Sequence, residues 1–114
     1  MATKLVLVVE DNRDIRDVIA LLISNLGCAC IVAATRDEGL ERLKTQYVDL
    51  ILTDYIMPGM GLVDFSREAA RLCPNTPVLV YSAFDSLAID IEALGFRFIR
   101  KPLDERALKA AGVC

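Results

Sequence analysis

Residues 5–12, Leu5-Val6-Leu7-Val8-Val9-Glu10-Asp11-Asn12, decide the reading of this chain. A strand with one face in water alternates apolar and polar side chains. An unbroken, valine-rich apolar run instead fits a strand covered on both faces, as in a parallel sheet. Two carboxylates close the run, and Asn12 can cap a helix. Ile15, Val18, Ile19, Leu22, Ile23 and Leu26 then follow at helical spacing, and Gly27 ends that helix.

The same alternation continues outward. Cys28 to Ala33 reads as a second strand, and Thr35-x-x-Glu38 is a capping box opening a second helix through Leu40, Leu43 and Lys44. Val48 to Thr53 is a third strand ending at Asp54. A loop with Pro58, Gly59 and Gly61 leads to a third helix over 62–72. Pro74-Asn75-Thr76-Pro77 is a turn, Val78 to Ser82 the fourth strand, and Asp85 or Ser86 can cap a short fourth helix to Leu94. Gly95 closes that helix, Phe96 to Arg100 is the fifth strand, and Leu103 to about residue 111 the fifth helix. Five strands alternating with five helices predict an α/β fold with a five-stranded, parallel, doubly wound sheet. No internal repeat or linker interrupts the pattern, so residues 1–114 are expected to form a single domain.

Composition narrows the function classes. The 114 residues are 54% hydrophobic and 25% charged, with 13 basic against 16 acidic side chains and a net charge of −3. That content argues against disorder. The acidic balance without a basic run argues against direct nucleic-acid binding and against adhesion to an anionic membrane. An unbroken run of only five apolar residues, Leu5 to Val9, precedes Glu10, too short for a signal peptide or a span, so a soluble cytoplasmic domain is expected. The chain has no histidine, which removes Ser-His-Asp and Cys-His hydrolysis and any His-ligated metal. Of the four cysteines, Cys28 and Cys30 form C-x-C without a second pair. Cys28, Cys30 and Cys73 are expected to be small apolar residues in reduced form.

In an open parallel sheet the ligand site lies beyond the carboxyl ends of the strands, at the switch in strand order. That rule selects Glu10 and Asp11 after the first strand, Asp54 after the third, Ser82 after the fourth and Lys101-Pro102 after the fifth. Three carboxylates so close repel one another and favour a divalent cation. With oxygen donors only, Mg²⁺ is the natural occupant. A carboxylate beside Mg²⁺, a lysine and a hydroxyl is arranged to accept a phosphoryl group.

Glu10-Asp11, Asp54 followed by Met57-Pro58-Gly59-Met60, Ser82-Ala83 and Lys101-Pro102, each at a strand end and in this order, resemble the receiver domain of two-component response regulators. The likeness covers essentially the whole chain and implies a flavodoxin-like (βα)5 fold. It further implies that Asp54 takes phosphate from a histidine kinase or a histidine phosphotransfer protein. Glu10, Asp11, Asp54 and the backbone carbonyl of Ile56 would hold Mg²⁺, and Lys101 would contact the phosphoryl group, with Pro102 at the family's cis-peptide position. Ser82 would be the switch hydroxyl and Phe98 the aromatic that swings inward with it. A changed surface on the fourth helix, fifth strand and fifth helix would be read by a downstream protein. The domain would catalyse only its own phosphorylation and dephosphorylation.

Three departures stand out against that family. Gly61-Leu62 replaces the usual acidic or amide residue and glycine after Met60. The stretch from Ser82 to Lys101 is shorter by nearly a helical turn, so the fourth helix is expected to be short. The fifth helix is abbreviated, as in a stand-alone receiver or a piece of a longer protein. Ile56 and Phe84, each two residues past a site residue, are large and apolar and are expected to exclude water and slow the loss of phosphate. Two other readings remain open. A pseudo-receiver would bind partners without phosphorylation. A phosphatase with an aspartyl-phosphate intermediate is disfavoured by Ile56, where such enzymes carry a second carboxylate. For single residues the simpler readings are a strand-end cap at Asp54, helix-end charge at Glu10-Asp11, a turn at Ser82 and at Lys101-Pro102, and core packing at Phe98 and at Met57 and Met60.

Overall fold

The computed structural model describes residues 3–83 and 88–114. Strands β1 (Leu5–Val9), β2 (Ala29–Ala33), β3 (Leu50–Asp54), β4 (Val78–Ser82) and β5 (Arg97–Arg100) alternate with helices α1 (Arg13–Asn25), α2 (Arg36–Thr45), α3 (Leu62–Leu72), α4 (Ala88–Ala93) and α5 (Glu105–Ala110). All strand pairs are parallel, in the order β2-β1-β3-β4-β5. Strand order therefore reverses between β1 and β3, whose carboxyl ends lie side by side with Val9 opposite Thr53.

Alternation along the strands divides the core. Val6, Val8, Leu50, Leu52, Leu79 and Tyr81 face one side with Ile19 and Ile23 of α1 and Leu108 of α5. Leu7, Val9 and Ile51 face the other with Leu40 and Leu43 of α2 and Phe65 and Ala69 of α3. The unbroken apolar run of β1 is thus explained by helices on both faces. Gly39 of α2 lies against β1: a Cβ there would come within 3.2 Å of Val9 Cγ2. Among the described residues, no helix is long and apolar enough to cross a membrane.

Local signals fixed most helix ends. Asn12 Oδ1 accepts from the Ile15 N–H, Thr35 Oγ1 from the Glu38 N–H, and the Glu38 carboxylate reaches back to the Ala34 N–H. Where observed bounds differ from the sequence reading, hydrogen bonds at the element ends are the reason. β3 begins at Leu50 because Asp49 turns its carboxylate to the Leu5 N–H at the start of β1. The Phe96 N–H remains bonded to Ile91 of α4, so β5 starts at Arg97. α5 starts at Glu105, since Asp104 caps it by accepting from the Ala107 N–H. Asp85 and Ser86, the expected caps of α4, lie outside the described residues.

One cysteine differs from expectation. Cys28 is joined to Cys114 in a disulfide, with Cα atoms 6.1 Å apart. The turn before β2 and the residues after α5 meet at the same end of the core, a proximity that a separation of 86 residues hides. Cys30 and Cys73 are free, as expected. Burial pushes the Cys30 thiol up to about 11, which keeps it protonated at neutral pH.

Candidate functional site

The two carboxylates that follow β1 have opposite environments. Asp11 is exposed, whereas Glu10 is 1% exposed. Glu10 Oε1 accepts from the Tyr81 hydroxyl at 2.7 Å and Oε2 from the Asn12 N–H at 3.0 Å. Burial raises the pKa of Glu10, and those two hydrogen bonds oppose the rise. Tyr81 is itself raised, by burial first and by its bond to Glu10 second.

Asp54 ends β3 beside them, buried. Its Oδ2 lies 3.0 Å from Lys101 Nζ, and its Oδ1 accepts from the Ile56 N–H at 3.2 Å. Carboxylate oxygens of Glu10, Asp11 and Asp54 all lie within 4.8 Å of one another. Three hard oxygen donors at that spacing, with no thiolate or imidazole among them, fit Mg²⁺ better than a softer metal. The sequence expectation of a shared acidic site is therefore met in space.

Lys101 reaches the site from the end of β5. Its backbone N–H donates to the Ser82 carbonyl, and the Lys101-Pro102 peptide is cis. Its ammonium also sits 5.3 Å from the centroid of the Tyr81 ring, in range of a cation–π contact. Ser82, at the end of β4, is buried. Asp54, Lys101, Glu10 and Asp11 are thus joined by direct contacts or short carboxylate separations, and Ser82 adjoins them through the Lys101 backbone.

Other predicted residues stand further out. Phe98 is half-buried and packs with Phe96 against Leu62, Val80 and Ile91. The Ile56 side chain is exposed while its N–H touches Asp54. Met57 and Met60 pack against the α2–α3 side of the core, as loop packing requires. Phe84 lies outside the described residues.

The sequence reading selected neither of two further residues of the site. Tyr81 reads as one more strand residue, yet it contacts both Glu10 and Lys101. Arg36 reads as surface charge in a capping turn, yet it is 2% exposed. Its Nη1 donates to the Met60 carbonyl at 2.9 Å, and its Nη2 to the carbonyls of Asp54 and Tyr55 at 2.7 and 3.0 Å. A cation at the positive end of a helix runs against the macrodipole, and that was the available clue.

A model of the response regulator receiver domain matches residues 6–112. The transcriptional regulatory protein GlrR of Escherichia coli K12 is 29% identical over 108 residues, covering 92% of this chain and 24% of that protein. The response regulator protein PilR of Pseudomonas aeruginosa is 31% identical over 107 residues, covering 91% of this chain and 24% of its own length. The chain thus spans about a quarter of these curated relatives. The crystal structure of a CheY-like response regulator receiver domain protein from Methanospirillum hungatei is 26% identical, with a TM-score of 0.83 over 96% of this chain and 90% of that one.

Proposed function

Because this chain belongs to the response regulator receiver domain family, we propose that it accepts a phosphoryl group on Asp54 from a phosphohistidine donor, in a Mg²⁺-dependent reaction, and thereby alters a protein-binding surface. The observation that carries this reading is the Asp54–Lys101 contact of 3.0 Å beside two further carboxylates at the strand-order switch. A carboxylate that served only as a strand-end cap would not need that set of neighbours.

Each residue has a definite task. The Asp54 carboxylate attacks phosphorus in line. The new O–P bond forms as the donor's N–P bond breaks, and the departing imidazole keeps the electron pair and takes up a proton. Lys101, freed from its carboxylate partner, follows the charge onto the phosphoryl oxygens. Glu10, Asp11, Asp54 and the Ile56 carbonyl would hold Mg²⁺, which when bound neutralises phosphoryl charge. Glu10 is already bonded through both oxygens to Tyr81 and Asn12, so it serves as a fixed anion behind the more exposed Asp11. Ser82, buried at the end of β4, turns its hydroxyl toward the product, with Phe98 moving on the same edge of the sheet. Donors are a histidine kinase or a histidine phosphotransfer protein, and the altered face of α4, β5 and α5 is read by a downstream protein. No hydrolysis of an external substrate is part of this function. Residues 1–114 act as one receiver domain in the cytoplasm.

The test is intact-mass spectrometry after incubation with Mg²⁺ and acetyl phosphate, wild type beside Asp54→Asn. A single phosphoryl adduct on wild type alone, lost when Mg²⁺ is chelated, is the expected result. A folded wild type without adduct, or equal adducts on both proteins, overturns the assignment and favours a phosphorylation-independent interaction domain.

A further inference from the structure

A buried guanidinium ordinarily faces a carboxylate, because desolvating a cation without a partner is costly. Arg36, the first residue of α2, instead spends its donors on the backbone. Asp54 and Tyr55 at the start of the β3–α3 loop and Met60 near its end all present their carbonyls to this one side chain. Between these anchors lies Ile56, whose N–H bonds Asp54 and whose carbonyl belongs to the ligand set proposed above. Among the described residues Nε of Arg36 is buried without a partner, so the fork reaches the loop carbonyls at the cost of one unsatisfied donor. Burial lowers the pKa of Arg36, and the charge of Asp54 works against that effect.

The loop has reason to need a clasp. α3 begins at Leu62, and Gly61 before it has no side chain to cap it, so the end of the loop gets no side-chain cap from that helix start. A planar fork with five donors can bridge both ends of such a loop at once, which a single ammonium cannot.

We propose that Arg36 is a positioning residue for the metal and phosphoryl site: by clasping the carbonyls of Asp54, Tyr55 and Met60 it holds the β3–α3 loop in the shape that binds Mg²⁺. The inference rests on the receiver reading above and deepens it. Arg36 touches neither metal nor phosphate. It acts through the loop backbone, as the outer residues of metal sites act through the ligands they orient.

The experiment measures Mg²⁺ affinity directly, by titration calorimetry on wild type, Arg36→Lys and Arg36→Met, with circular dichroism and thermal melting to score the fold. The rate of adduct formation from acetyl phosphate is followed across Mg²⁺ concentrations on the same samples. Arg36→Met with native secondary structure is expected to bind Mg²⁺ about 10-fold or more weakly. Its phosphorylation rate should recover to within a few-fold of wild type at saturating Mg²⁺, a split that general destabilisation does not produce. Arg36→Lys, which keeps the charge and loses the fork, should fall between. If Arg36→Met does not fold, Arg36→Lys decides: wild-type Mg²⁺ affinity in that variant overturns the proposal. A folded Arg36→Met that binds as tightly as wild type overturns it too, leaving the receiver reading intact. A wild type that binds no Mg²⁺ overturns both together.

Discussion

The two halves of the site are built differently. On the β1–β3 side, every residue of β3 is buried, and Glu10, Asp54 and Arg36 are each held by two or three hydrogen bonds. On the β4–β5 side, β5 is a sheet edge with both end residues exposed, α4 has six residues, and the cluster beneath it has only Leu62, Val80 and Ile91 fully in the core among the described residues. Chemistry needs fixed geometry, whereas a change of surface needs a region that costs little to rearrange. Under the proposed function each requirement falls on a different side of Asp54, and Lys101, bonded to Asp54 from the end of β5, spans the two.

The largest test of this contrast compares two phenylalanines. Phe65→Ala, on the α2–α3 side and fully buried, should cost about 3–5 kcal/mol of unfolding free energy. Phe98→Ala, half-buried at the edge strand, should cost about half as much, both read from denaturant midpoints. Equal losses would erase the distinction between a rigid and a soft side. Lys101→Met cuts the link between the halves. It should slow phosphorylation of Asp54 about 100-fold, the scale for losing one charge-stabilising donor. Its melting temperature should fall as well, because the change leaves the Asp54 carboxylate, 9% exposed, without its cation beside two other carboxylates. A large loss of stability with an unchanged phosphorylation rate would make Lys101 structural.

Smaller effects sharpen the picture within the rigid side. Tyr81→Phe removes the hydroxyl that Glu10 accepts from and should destabilise the metal-free protein by about 1–2 kcal/mol. Mg²⁺ at ten times its dissociation constant should stabilise the wild type by about 1.4 kcal/mol, seen as a rise in melting temperature that Asp54→Asn diminishes. At the mouth of the site, Ile56→Asn should leave stability within about 0.5 kcal/mol, the side chain being exposed. It should shorten the half-life of the acyl phosphate several-fold by admitting and orienting water. An unchanged half-life would remove Ile56 from the water-excluding role.

What could be read from the residues in order follows a physical division. The β1 run, the Asn12 and Thr35 caps, the third helix and the fourth strand depend on neighbours within a few positions, and each of them stands where the sequence places it. Two strand starts shifted: from Val48 to Leu50, where Asp49 holds the distant Leu5 N–H, and from Phe96 to Arg97, where Phe96 stays bonded to Ile91 of α4. The acidic site was legible because one rule of parallel sheets sends all strand ends to the same edge. Asp54 and Lys101 could therefore be grouped although 47 residues separate them.

No such rule covers side chains that cross the core. Tyr81 shares its place in β4 with Leu79, and only the folded chain shows its hydroxyl on Glu10 and its ring beside Lys101. Arg36 sits among the charges of a helix start, and only the path of the β3–α3 loop turns it from a surface cation into a buried clasp. Cys28 looks like an apolar strand residue until α5 brings Cys114 alongside it. By itself the sequence determined the order of elements, the edge that carries chemistry and the residue types found there, because those follow from local periodicity and sheet geometry. Tertiary structure alone decided which donors hold each carboxylate and which side of the site is firm, because hydrogen bonds and burial depend on neighbours that sequence order keeps apart.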